Sequence, residues 1–581
     1  MKRIMNILNK KGLFLAIGLG ILFLDVSAQT PAFTRTGDSI KTKDILIVKE
    51  FEPVISEAFK ISDNPRISDT LKPEVGSLTY ELVSKQIPTE FNVIPIKAAV
   101  MKGEPLEKLY RAYAKGGYGI YNTALGEVYI NNLRSRTKNA GFYAKHLSST
   151  GNIKDVGYSG FSNTNVKAYG KQIFYNKILA GSGSYQHDRY HFYGFNTKND
   201  TLPTDLFSDS LSQNRIQQNF QKIKGEIQFK SYFKDSNLLN FDFNLKAYNI
   251  TNSFSENETN LKFNAAVDRF YGNKHAYINA GVDYNQYNDN LGNYNSTLVN
   301  FEPAFSIGGE KWNVKAALRT FVNSDSVTTF KAYPIIHATY NLVGDFMIPY
   351  VGLDGGLDRN NFDELRTINP FLQNNPLLAI SNTKYDVYAG VRGQFSSKSS
   401  FNLKASQKLI ENLPLFINDY SQLIPNRFIV VYDTAEITTL TAEFSYQQRD
   451  RLNIFGRGDY FIYSTKHEAK AWHTPNFRAS LGAVYDLQDK IILKADIYYI
   501  SNQFAKSFNS LDGEPVGYGA YSKELKGLID INIGAEYRYN KKLSGWISLQ
   551  NLASVKYERW NYYPTQGFLG MLGFTYSFWS R

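Results

Sequence analysis

The chain of 581 residues has no cysteine. That removes disulfides, thiolate metal sites, a thiol nucleophile and lipid attachment at the N-terminal end from consideration. Beyond residue 24 no run approaches the ~20 apolar residues that a membrane-spanning helix needs. The phosphate-cradling patterns G-x-G-x-x-G and G-x-x-x-x-G-K-[ST] are also missing in a usable strand-to-helix context. Proline is sparse, 18 in all, and concentrates early, at Pro53, Pro65, Pro73, Pro88, Pro95 and Pro105.

Aromatic side chains are abundant, at 15% with 41 Tyr and 40 Phe, although the mean hydropathy is negative. A β-barrel reconciles the two, because alternating strands turn an apolar face to lipid, keep a polar lumen, and carry aromatic girdles at both interfaces.

The first residues read as an export signal. Lys2, Arg3, Lys10 and Lys11 precede the apolar run Leu13–Leu24, and Val26-Ser27-Ala28 forms a small-residue cleavage site before Gln29. The run is too short for an anchoring helix. The formal net charge is +12, and loss of residues 1–28 leaves about +9. Such a balance suits lipopolysaccharide or an anionic solute, whereas nucleic acid is a poor partner for an exported barrel.

Residues 29–108 show no sustained amphipathic period and read as a short, irregular periplasmic or lumen-filling segment. From about Leu109 to Arg581 the chain is a succession of period-2 segments. Leu261, Phe263, Ala265 and Val267 alternate with Lys262, Asn264, Ala266 and Asp268. Ile278, Ala280, Val282 and Tyr284 do the same, as do Ile529, Ile531, Ile533, Ala535 and Tyr537. The first set in each case is read as facing lipid.

Tight polar turns fall at Tyr175-Asn176-Lys177, Lys234-Asp235-Ser236, Gly272-Asn273-Lys274, Gly308-Gly309, Gly344-Asp345, Ser397-Lys398, Arg449-Asp450, Gln488-Asp489 and Asn540-Lys541. Longer connections are expected at Phe195–Arg215, Asp358–Asn382, Glu411–Asn426, Thr465–Asn476 and Phe504–Glu524. Short turns alternating with long loops distinguish an outer-membrane barrel from a soluble sandwich or propeller. The expected fold is therefore all-β, a transmembrane antiparallel barrel of about 22 strands (18 to 22) over residues 109–581. Glu411–Phe444 is the stretch where a strand could be gained or lost. An even count places both termini in the periplasm of a Gram-negative outer membrane.

The closing residues Asn551-Leu552, Tyr557-Glu558, Tyr563-Pro564, Gly567 and Gly573-Phe574-Thr575-Tyr576-Ser577-Phe578 resemble the last strands of TonB-dependent receptors. The resemblance implies a barrel of about 22 strands that imports scarce ligands across the outer membrane. The alternation Phe574, Tyr576, Phe578 resembles the signal read by barrel-assembly machinery, although Trp579-Ser580-Arg581 extend past it. Asp44-Ile45-Leu46-Ile47-Val48 resembles a TonB box, which would pair edge-on with a periplasmic energy-coupling protein. An ordinary short strand or lumen filler reads equally well there. The departure is the plug, since residues 29–108 are too few and too proline-rich for the globular domain of this class. A barrel of this girth leaks unless filled, so that segment, infolded loops or a partner must close it.

The remaining chemistry is thin. His187, Asp188 and His191 share a strand, but an i, i+4 pair there spans roughly 13 Å, too far for one metal ion. His467, Glu468 and His473 could converge in a loop, with solvated side chains the simpler reading. His146 beside Ser148 and Ser149 is the one compact serine–histidine pairing, and neighbours on one strand rarely make a catalytic geometry. No residue reads as catalytic or metal-binding, no cofactor is implied, and the protein reads as a non-enzyme. Basic lumen residues such as Lys262 and Arg538 are accompanied by Asp268, Asp530 and Glu536, so a compensated lumen is expected. The loop aromatics Phe362, Phe371, Trp472 and Phe508 suit either contact with an unidentified small ligand or loop packing. Two functions follow: ligand capture and uptake, or a non-transporting barrel that scaffolds an envelope complex with a partner subunit.

Overall fold

A computed structural model of the chain describes residues 110–580, except 133–134, 199–213, 232–237, 326, 345, 423, 449–450 and 509–519. The signal segment, residues 29–108 and the Asp44–Val48 stretch lie outside the described residues.

The described chain forms one closed antiparallel sheet of 22 strands. Each barrel strand pairs with its neighbours along the chain, and the first, Tyr110–Gly119, closes the ring on the last, Leu569–Ser580. Closure leaves no strand edge, so every ladder position can be paired inside the membrane. Side chains that read as lipid-facing are exposed: Leu261, Phe263, Ile278, Val282, Ile529, Ile533 and Tyr537 all stand on the outer wall. Phe574 and Tyr576 stand there too, 65% and 49% exposed, which only a lipid-covered surface makes favourable.

The seam depends on glycine. Gly116 and Gly117 of the first strand face Phe574 and Gly573 of the last. The Trp546 ring lies over Gly117 and Gly573, so a Cβ at either would collide with the indole, and one at Gly573 would also strike the Gly116 carbonyl oxygen. The Lys115 ammonium sits 4.6 Å above the same ring, a cation–π contact.

Short connections at 175–176, 272–273, 309–311, 397–398, 488–490 and 539–542 all lie on one rim. The other, the loop rim, carries 150–160, 361–378, 466–476 and 551–568, the described parts of 192–216, 419–427 and 501–527, and short connections at 120–122, 253–256, 289–292 and the described part of 325–328. Two expected loops are shorter than the sequence suggests. Strands run on to Asn360 and resume at Ala379, and the strand Ser399–Asn418 continues through Glu411. Its register shifts between Ile410 and Leu413, with Asn412 at φ 56°. One residue of bulge flips the apolar alternation to the other face, so a 20-residue strand reads as a break.

Candidate functional site at the barrel mouth

Connection 361–378 turns inward and contains the helix α1, Phe362–Ile368. Asn361 caps it, its side chain accepting the Glu364 N–H at 2.9 Å. Asp363 and Glu364 occupy the first turn and Arg366 the last, each on the favourable side of the helix dipole. Seven residues are too few for a helix to stand alone, so tertiary contacts must hold it.

Those contacts come from the lumen wall. The Phe362 and Asp363 backbone N–H groups donate to the two oxygens of Glu258, at 2.7 and 3.2 Å. Glu258 also accepts from the Tyr248 hydroxyl at 2.8 Å and the Asn285 amide at 3.3 Å, and is fully buried. A carboxylate at a helix N-terminus is favoured by both the free N–H groups and the dipole. Arg366 donates to Asp363 at 2.8 Å and Asp188 at 3.3 Å, with its guanidinium 4.9 Å from the Phe220 ring centre. The other Asp363 oxygen takes the Lys222 ammonium. Asp188, Lys222 and Glu258 belong to three wall strands, so α1 sits within the mouth.

An apolar core completes the closure. Phe192, Leu365, Phe371, Leu372, Phe416, Phe428, Val430, Trp560 and Tyr563 form one buried cluster. Its members come from connections far apart around the ring and from the loop-rim ends of the strands that carry Phe416, Phe428 and Val430. Phe371 stacks on Tyr563 at 3.7 Å, Tyr193 donates to the Pro564 carbonyl at 3.1 Å, and Asn426 donates to the Phe192 carbonyl at 2.7 Å. Burying each such Phe, Leu or Val stabilises the closed mouth by ~1.5–3 kcal/mol relative to leaving it in water.

Enclosure sets the electrostatics of these loops. The surrounding protein pushes the Glu364 carboxyl up to about 7, with Lys262 only partly opposing, although the side chain keeps an accessible face. Burial also raises Glu256, which accepts from the Tyr287 hydroxyl at 2.7 Å and from the Asn375 N–H. It acts on Asp363 as well, but Arg366 and Lys222 outweigh it and hold that carboxyl low. His473 is driven down to about 4 by burial, and therefore stays neutral.

The structure separates residues that lie together in sequence. His467 pairs with Asp433 at 2.8 Å, Glu468 with Lys506 at 2.8 Å, and His473 Nδ1 lies 2.9 Å from the Phe416 carbonyl. His191 Nδ1 lies 2.6 Å from the Gly160 carbonyl, and Asp188 turns away to Arg366. His146 meets Thr164 at 2.8 Å, while Ser149 turns to Thr123 at 3.1 Å. Phe362, Phe371 and Trp472 are buried and Phe508 half-buried, so these aromatics pack the loops in this state. Asp268 pairs with His275 at 3.1 Å, Lys262 with Asp283 at 3.3 Å, Arg538 with Asp489 at 3.6 Å, and Glu536 accepts from Ser544 at 2.7 Å. Charge compensation therefore runs through partners other than the expected ones. Sequence reasoning does not single out Glu258, Lys222 or Arg366. The pattern Asn361-x-x-Glu364, a helix-start signature inside an expected loop, is the one clue to them.

No protein-family model matches the chain, and no curated protein does. Solved structures do match its fold. The FrpB iron transporter of Neisseria meningitidis aligns over 81% of this chain and 82% of its own, at 10% identity and a TM-score of 0.61. The pyoverdine outer membrane receptor FpvA of Pseudomonas aeruginosa PAO1 aligns over 82% and 79%, at 11% identity and 0.58. The ferric-catecholate import receptor Fiu of E. coli K12 aligns over 81% and 82%, at 10% identity and 0.57. The chain thus shares with these outer-membrane proteins the fold of a closed 22-stranded antiparallel β-barrel. Among the described residues no globular plug accompanies it, and loops occupy the mouth.

Proposed function

We propose that the protein is an outer-membrane uptake barrel that captures a small ligand at its loop rim. The observation that carries this reading is the alignment of the closed barrel, over about four fifths of the chain, with receptors and transporters of imported iron. In this reading residues 1–28 direct export, both ends of the mature chain lie in the periplasm, and the loop rim faces outward into lipopolysaccharide. Asp44–Val48 offers an extended edge to TonB, residues 29–108 obstruct the lumen, and Phe574, Tyr576 and Phe578 present the chain to the assembly machinery. No catalytic step is assigned.

The second reading, a sealed scaffold of an envelope complex, is favoured by the mouth-spanning apolar core, which binds loops from separate sectors into one unit. Single-channel conductance in planar bilayers separates the two. Silence from the mature chain with steps from a form lacking residues 29–108 is the uptake result. Silence from both means that the loops alone seal the barrel, and the scaffold reading stands. Cysteine cross-linking from positions 44–48 to the coupling protein gives an independent check, and its complete absence removes energy-coupled uptake.

A further inference from the structure

The lumen is not charge-compensated evenly. On one wall most lumen cations sit on acids, Arg319 on Glu302 (2.5 Å) and Asp354 (2.8 Å), Arg457 on Glu443 (3.1 Å) and Asp459 (2.9 Å), Arg478 on Asp459 (3.0 Å), and Lys384 on Glu411 (2.6 Å), while Arg392 and Lys404 lie over the Tyr350 and Tyr388 rings. The wall made by Lys138–Ser149, Phe161–Phe174, Lys177–His191, Gln217–Ser231, Asn240–Asn252 and Asn257–Tyr271 differs.

Its lumen-facing positions carry Lys145, Lys167, Lys222, Lys224, Lys246 and Lys262. The facing follows from period 2, because Phe142, Leu179, Ile223 and Leu245, at odd offsets from these residues or from their cross-strand partners, stand exposed on the lipid side. All six lie between the fifth and the eighth residue from the loop-rim ends of their strands, so they form an arc at one level.

Register brings them close. Lys167 and Lys224 both pair with Ser184, one from each side, which puts their backbones two strand spacings apart, ~9.5 Å. Lys246 lies diagonal to Lys224 and directly opposite Lys262. Lys224 is within electrostatic reach of Lys167, Lys222 and Lys246 at once, with Glu226, the carboxylate that also holds Lys246, as the one acid opposing them. Like charges so placed are destabilising. Three of the lysines are neutralised, Lys246 by Glu226 at 3.3 Å, Lys262 by Asp283 at 3.3 Å, and Lys222 by Asp363. Lys167 and Lys224 make no ion pair among the described residues, and Lys145 faces Glu127 in register without reaching it.

A second observation points to the missing partner. Lys222 is the lumen position next above Lys224, and its counter-ion is supplied by the inward-turned loop, through the carboxylate of Asp363. The arc therefore already binds one carboxylate that belongs to a connecting segment rather than to the wall.

We propose that Lys167 and Lys224, flanking Ser184 and bordered by Lys222 and Lys145, form a binding site for a small solute bearing two or more carboxylates, and that this solute competes with Asp363 for Lys222. An anion that bridges several ammonium groups gains charge-assisted hydrogen bonds to each and relieves their repulsion. Taking Lys222 removes one of the charged wall contacts of α1, so binding and loosening of the mouth favour each other. The proposal deepens the uptake reading by naming a solute class, but binding itself requires no transport.

Isothermal titration of the detergent-solubilised mature protein with citrate tests it. Replacing both core lysines, Lys167→Gln with Lys224→Gln, is expected to weaken citrate binding by about tenfold or more, as loss of charged hydrogen bonds does. The pair Lys167→Arg with Lys224→Arg retains binding, Asp363→Asn tightens it, and rising KCl weakens it. Removing like-charge repulsion does not endanger the fold, so the double Gln variant remains an informative protein. Equal citrate affinity in wild type and the Gln pair overturns the proposal, and so does absence of binding heat from both wild type and Asp363→Asn. Either result leaves the uptake reading to be decided by conductance.

Discussion

Among single residues, Glu258 bears most directly on closure of the mouth. It is a fully buried carboxylate that ends up on the first N–H groups of α1, yet it sits near the end of a strand rich in polar side chains, where nothing in sequence marks it. Glu258→Gln keeps the shape and removes the charge. Hydrogen exchange of amides 361–378 is expected to quicken by about tenfold, the size of one charged hydrogen bond; unchanged exchange would mean that the apolar core alone holds the loop. Glu364 adds a pH dependence. Its carboxyl is raised to about 7 by the protein around it, against an ordinary value of 4.5, so between those values the closed loop binds more protons than the open one. Closure is therefore strongest below about pH 4.5 and weakens as pH rises through 7. Because the side chain keeps an accessible face, solvent screening holds the effect to a fraction of the ~1.4 kcal/mol that each pH unit would carry in a dry site. The raised Glu256 acts in the same sense, whereas the lowered Asp363 acts only at more acid pH. In exchange experiments corrected for intrinsic rates, Glu364→Gln should flatten only its share of this profile, and the buried Glu256 keeps the rest. The loop aromatics are visible in sequence, but the partners that bury them are not, since Phe371 and Tyr563 meet across nearly two hundred residues of chain.

At the scale of elements, regular strands announce themselves and irregular ones do not. The segments around Leu261, Ile278 and Ile529 alternate without interruption and are legible at once, with the correct face outward. Ser399–Asn418 reads as interrupted because the bulge at Asn412 reverses its alternation. Asn is among the few non-glycine residues at ease with positive φ. Asn412→Val is thus expected to cost ~1–2 kcal/mol through the left-handed backbone alone, lowering the temperature at which the folded barrel band converts on gels, whereas Asn412→Gly should leave it near wild type. Helix α1 is hidden for a different reason. A seven-residue helix carries too little periodicity to stand out, and its stability comes from the wall.

The whole molecule is the most legible scale. Period-2 segments, turn spacing and the aromatic closing strand suffice for a barrel of about 22 strands, because closure demands a strand count and a lipid face together. The interior is not legible in the same way, since lumen pairing depends on register summed around the ring. The seam is the point on which closure rests. Gly573→Val would drive a side chain into Trp546 and the Gly116 carbonyl, and the expected outcome is failure to form the compact, heat-modifiable species. A normal folded band for that variant would show that the seam tolerates opening.

The contact between Tyr193 and Pro564 spans 371 residues of chain. Its two ends meet only after the final hairpin has arrived and the ring has shut. Until then Phe192, Phe371 and Tyr563 lack the partners that bury them, so the mouth core can be completed only once the last strand has found the first.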